Sequence, residues 1–152
     1  MVKAYTFLRI IGEEGLKDIA KSSILYANYV IQSLKGYYYL PYQDYCMHEG
    51  ILSGKNLKAY GVRTLDVAKR LLDFGFHAPT VYFPLIVSEA MMIEPTESES
   101  KETLDRFVDA MKKIIGEAKE RPETLRAAPH STPVRRLDEV KAIKELKVKW
   151  TN

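Results

Sequence analysis

Histidine is the side chain best suited to acid–base work near neutral pH, and this 152-residue chain has three, His48, His77 and His130. They lie far apart in sequence and no two have metal-ligand spacing, so no metal site is expected. His77 follows Gly75 and precedes Pro79 in a stretch that reads as a loop, where functional side chains tend to be presented. Two readings stay open for it: acid–base or hydrogen-bonding work, or plain satisfaction of loop backbone groups. His48 adjoins Glu49 in CMHEGIL, which reads as a strand. Neighbouring strand side chains point to opposite faces, so the pair is not expected to act together and a structural role is favoured.

A second cluster is Glu94-Pro95-Thr96-Glu97-Ser98. The residue before a proline stays extended, and Thr96 or Ser98 can cap the helix that follows. The same geometry leaves free N–H groups beside acidic side chains, which suits a substrate amine or a partner. Tyr37, Tyr38, Tyr39, Tyr42 and Tyr45 suit either an interface or alternate burial in a strand. The single cysteine, Cys46, forbids an internal disulfide and reads as a buried, inert thiol. No GxGxxG, P-loop, GxSxG, HExxH or CxxC motif occurs.

The elements that must position these residues are well punctuated. Residues 2–11 read as a helix with no cap before it, stopped by Gly12. That pattern fits either the end of a longer element or a short helix that frays. Residues 13–34 form the strongest helix, with Leu16, Ile19, Ala20, Ser23, Ala27, Val30, Ile31 and Leu34 on one stripe. Ile24, Leu25 and Tyr26 widen the apolar surface, so cover on more than one side is expected. Short strands are expected at 37–40, 46–52 and 90–93, with Gly50 weakening the second. Thr64 is the expected N-cap of a helix ending at Gly75, and 77–84 is extended or looped between prolines. Leu104, Phe107, Val108, Met111, Ile114, Ile115 and Ala118 mark an amphipathic helix ended by Pro122. The remainder is polar, proline-broken and mildly basic.

The order of elements predicts an α+β fold, a short, mostly antiparallel sheet with helices packed on one face. Apolar residues make up 46% and charged residues 28%, as in ordinary globular proteins, and the net charge of +3 is spread out. That spread argues against a nucleic-acid surface, and no apolar run reaches the ~20 residues of a membrane span. No signal peptide is legible, and a reducing cytoplasm is the expected compartment.

Several phrases are more particular than packing requires: IIGEEGLKDIAKSSILYANYV, CMHEGILSG, LDVAKRLLDFGFHAPTVYFPL, MMIEPTESESKETLDRFVDAM and APHSTPVRRLDEVKA. In these the chain resembles the C-terminal part of the glycine cleavage system P-protein family, the PLP-dependent glycine dehydrogenases (decarboxylating), and within it subunit 2 of the split form. The resemblance spans nearly the whole chain. Gly50 departs from it, since the family usually has a bulky apolar residue after the His-Glu pair.

The resemblance implies the small C-terminal domain of a fold-type-I PLP enzyme. It implies three parts: residues 1–35 as a helical segment linking to a large domain, 36–122 as the α+β domain, and 123–152 as an extended tail. The family's cofactor lysine lies in a His-Lys-Thr type segment that has no counterpart here, so the chain alone is expected to bind no cofactor. PLP belongs to the full enzyme, where it acts as electron sink while glycine loses CO2 and an aminomethyl group passes to the lipoyl arm of the H-protein. The implied role is to cover the active-site mouth, with His77, Thr80, Glu94 and Thr96 facing it. The implied partners are the large domain, subunit 1, the lipoylated H-protein and, in one reading, a second copy. A stand-alone interaction or oligomerisation module derived from the same domain is the alternative.

Overall fold

The computed structural model describes residues 1–149. Its first element, α1 (Val2–Leu34), is helical throughout except at Gly12, whose φ of 69° and ψ of −178° put a kink where the sequence predicts a stop. Glycine tolerates a positive φ without a steric penalty, so the helix bends there and resumes. The expectation that 13–34 is covered on more than one side fails for its first half. Only Ala27, Val30, Ile31 and Leu34 are buried, while Leu16 and Leu25 stay exposed. The rest of the fold reaches only the C-terminal turns of this helix.

Three short strands form one antiparallel sheet in the order β1 (Gly50–Ser53), β3 (Ala90–Ile93), β2 (Thr80–Val81). Gly50 pairs with Ile93, Leu52 with Met91, and Thr80 with Met92. Alternation sends Leu52, Met91 and Ile93 into the core. The expected strand at 37–40 is reduced to isolated bridges, one of them between Tyr39 and Ser53. Alternation still holds there: Tyr38 and Leu40 are buried, whereas Tyr37 and Tyr39 face outward. The Tyr38 hydroxyl donates to the Met111 carbonyl at 3.1 Å. Burial thus holds for Tyr38, while Tyr37, Tyr39, Tyr42 and Tyr45 are exposed.

Helix α2 (Thr64–Asp73) does not use Thr64 as its N-cap. Arg63 occupies that position, and its N–H donates to Asp66 Oδ2 at 2.8 Å. Thr64 is fully buried, and its N–H and hydroxyl donate to the Glu89 carboxylate and carbonyl at 2.8 and 2.9 Å. The helix start is therefore capped partly from the loop before β3, a partner invisible to local sequence. A short 3-10 helix, Lys55–Tyr60, precedes it.

Helix α3 (Lys101–Glu120) follows its predicted stripe: Leu104, Val108, Met111, Ile114, Ile115 and Ala118 are buried. Each fully buried aliphatic side chain contributes roughly 1.5–3 kcal/mol. Pro122 ends α3 but also opens α4 (Pro122–Ala127), because proline at the first helical position lacks only an N–H that would have no partner. Residues 123–149 are accordingly not uniformly extended: α4 is followed by an irregular strap and by α5 (Glu139–Lys144). Leu125 and Ala128 are buried, so the core runs from Ala27 to Ala128.

Candidate functional site

The C-terminus of α2 builds one wall of the site. Gly75 takes a φ of 79°, its N–H donates to Leu72, and the Phe76 N–H donates to Leu71 at 3.1 Å. This left-handed closure of a helix end needs glycine. It turns Phe76 inward, edge-to-face against Phe107 of α3 with ring centres 5.3 Å apart. The chain then passes through His77 and reaches Thr80 in β2.

The opposite wall follows β3. Ile93 and Pro95 are buried, and Glu94 and Thr96 between and after them are exposed. Of the cap candidates in the run from Thr96 to Ser100, Ser100 takes that place, accepting the Thr103 N–H at 3.1 Å. The Thr96 and Ser98 hydroxyls instead bond each other at 2.6 Å.

Between these walls lies a cavity of about 620 Å³, and His77, Thr80, Glu94 and Thr96 all line it. Residues far apart in sequence are thus gathered at one mouth. The floor is apolar, with Val30, Leu104 and Phe107, and the lining adds Glu99 and Arg106. The mouth therefore offers carboxylates, a guanidinium, an imidazole and hydroxyls above an apolar floor. Such a lining suits a slender ligand carrying charge at one end.

Two contributors escape sequence reasoning. Arg106 sits beside the apolar stripe of α3 and looks like an ordinary solvated charge until α3 is docked. His48 lies in the bend before β1, not in a strand, so the opposite-face argument does not apply to it. Its Nε2 comes within 3.9 Å of Glu94 Oε1. His130 lies apart from this mouth, in the strap, with Nε2 2.8 Å from the Thr124 carbonyl.

Cys46 is tied into the loop before β1 by Asn28, which accepts its N–H at 3.0 Å and donates to its carbonyl at 2.7 Å. Burial pushes its thiol pKa up, opposed by a backbone hydrogen bond, which disfavours the nucleophilic thiolate. No group of three His, Cys, Asp or Glu among the described residues is placed to hold a metal ion. The cavity lining contains no lysine. A cofactor held through a lysine imine therefore has no anchor in it, and the residues present do not fit one.

Residues 19–135 match the family model described as glycine dehydrogenase, C-terminal domain. A probable glycine dehydrogenase (decarboxylating) subunit 2 from Chlorobium phaeovibrioides is 59% identical over 149 residues, covering 97% of this chain and 31% of the relative. The protein of the same description from Caldanaerobacter subterraneus is 57% identical over 151 residues, covering 99% of the chain and 31% of the relative. That from Bacillus velezensis is 56% identical over 149 residues, with 98% and 30% covered. The chain thus spans about a third of the length of these curated relatives.

Proposed function

The chain belongs to the family of glycine dehydrogenase C-terminal domains, and from that premise we propose that it forms the mouth of a glycine decarboxylase active site whose cofactor is held elsewhere. The observation that carries the reading is the convergence of His77, Thr80, Glu94 and Thr96 on one cavity within the family-matched segment. The cavity guides substrate or a carrier arm to chemistry performed by PLP on another part of the enzyme. Thr80 and Thr96 supply hydroxyls, while His77 and Glu94 supply charge and hydrogen bonds at the rim. Residues 1–35 link to the large domain in this reading. The partners are that domain, subunit 1 and the lipoylated H-protein, in the cytoplasm. Among the described residues no helix is long and apolar enough to cross a membrane.

A second reading, an interaction or oligomerisation module, draws on a different observation. Apolar side chains are exposed on the first half of α1, including Val2, Leu8 and Ile10, and again at Leu137, Val140, Ile143 and Leu146. Exposed apolar side chains in such number, rather than scattered singly, are what contact sites in soluble proteins are made of.

The test uses the purified chain with PLP, glycine and lipoylated H-protein. No absorbance of lysine-bound cofactor near ~420 nm and no CO2 release are expected from the chain alone. Addition of the remaining part of a relative's subunit 2, with subunit 1, is expected to restore glycine-dependent CO2 release. In that assembly Glu94→Gln and His77→Ala should lower kcat/KM about 10-fold or more, with the melting temperature unchanged because both side chains are exposed. Stoichiometric lysine-bound PLP on the chain alone would overturn the reading. A discrete self-associated species together with failed reconstitution would favour the module.

A further inference from the structure

The two acidic residues of α2 are both held by the segment that follows α4. Near the start of the helix, Arg136 Nη2 lies 2.7 Å from Asp66 Oδ1, and Asp66 is only 2% exposed. The same guanidinium donates to the Ala128 and Leu125 carbonyls at 2.7 and 3.1 Å. It thereby satisfies the Ala128 carbonyl and adds a second donor at the Leu125 carbonyl, which also accepts the Ala128 N–H at 3.1 Å. At the other end of α2, Asp73 Oδ1 accepts three hydrogen bonds from the strap: the N–H of His130 at 2.5 Å, the N–H of Ser131 at 2.7 Å and the Ser131 hydroxyl at 2.9 Å.

Asp73 is also wired to α3. Its Oδ2 accepts from Arg70 Nη1 at 3.0 Å, and Arg70 makes a two-pronged pair with the buried Glu117 at 2.8 and 2.9 Å. Paired hydrogen bonds of this geometry fix a guanidinium in orientation as well as position. The Arg70 guanidinium in turn sits over the Phe74 ring, 4.9 Å from its centre. Phe74 lines the cavity, and Gly75, Phe76 and His77 follow directly. Strap, α2 terminus, α3 and cavity rim thus meet at one carboxylate, one residue before the rim begins.

We propose that the strap of residues 129–136 is a latch for the cavity, and that Asp73 is the positioning residue through which its docking fixes the rim at residues 74–80. The latch rests on the reading of the cavity as a functional mouth only for its purpose. Its mechanics stand on the hydrogen bonds alone. With the strap docked, the last turn of α2 is clamped from two sides and His77 is presented from a fixed base. With the strap released, Asp73 keeps only Arg70, and the left-handed turn at Gly75 is free to open. By linkage, whatever holds the rim also tightens the strap.

Amide hydrogen exchange on the full chain tests this without any activity assay, so its failure is separate from failure of the proposed function. Ser131→Pro removes the Ser131 N–H and hydroxyl donors while leaving every residue of α2 untouched, and Asp73→Asn weakens the acceptor. Both are expected to raise exchange of the 74–80 segment about tenfold, with residues 108–118 in α3 unchanged within about twofold. Ser131→Ala, the mildest change, should give a smaller rise in the same segment and keeps the test usable if Ser131→Pro does not fold. Unchanged exchange at 74–80 in a variant whose 129–136 segment has loosened would overturn the latch. So would an equal rise in α3, which marks general loss of stability.

Discussion

At the scale of single residues, Gly50 shows what a side chain cannot occupy. A Cβ built there would stand 2.3 Å from Ile31 Cγ1 and 2.6 Å from Ile31 Cδ1, with Cys46 Sγ at 3.4 Å. Because Cγ1 is close to the α1 backbone, Ile31 cannot evade the contact by swinging only its tip. Gly50→Ala is therefore expected to destabilise by about 1–3 kcal/mol, the usual cost of overpacking. The Gly50→Ala, Ile31→Ala pair should lose less than the sum of its single changes by about 1 kcal/mol or more in urea melts. Strict additivity would mean the two positions do not compete for space. Glycine at 50 and isoleucine at 31 form one packing unit. Composition flagged Gly50 as a weak spot in a strand, and only Ile31, packed against it from α1, explains it.

At the scale of elements, α2 is held by charge as much as by its apolar face. Burial raises the Asp73 pKa, but the N–H groups of Ser131 and His130, the Arg70 guanidinium and the Ser131 hydroxyl outweigh it and bring it from 3.8 down to about 2. A folded-state pKa below the unfolded one means the contribution is complete above about pH 4 and is lost as pH falls toward 2. Acid titration of unfolding free energy should therefore show a loss on the order of 2 kcal/mol in that window. Asp73→Asn should flatten that part of the curve, and an unchanged curve in the variant would place the acid sensitivity elsewhere. Glu89, which binds the other end of α2, moves the same way: burial raises its pKa, but hydrogen bonds from Thr64 and Lys58 outweigh this and bring it below the ordinary carboxylate value. The existence of α2 was legible from its apolar spacing and from Gly75. Its caps were not, because Glu89, Arg136 and Ser131 reach it from remote segments.

At the scale of the whole molecule, the chain divides into a packed body and an outlying helix. Residues 1–10 of α1 are exposed throughout, including Val2, Tyr5 and Ile10, and the kink at Gly12 separates them from the buried turns. Isolated helices of this length are marginal in water. Deleting residues 1–12 is expected to shift the melting temperature by less than about 3 °C, as read by circular dichroism. A drop of 10 °C or more would mean the first turns belong to the cooperative unit.

The sequence by itself determined the helices with clear apolar periodicity, the strand at 90–93, the α+β class and the family resemblance. Each of these is written in local spacing or in contiguous phrases. It also nominated His77, Thr80, Glu94 and Thr96, the last two from a phrase whose bland reading was helix capping. Tertiary structure decided what local spacing cannot encode. It set His48 beside Glu94 and brought Arg106 to the same mouth as Thr96. It also turned part of an expected extended tail into a strap clasped on α2. The physical reason is the same in every case. Periodicity reports which face of an element seeks cover, whereas a site is made by the exposed side chains that remain once the faces have met.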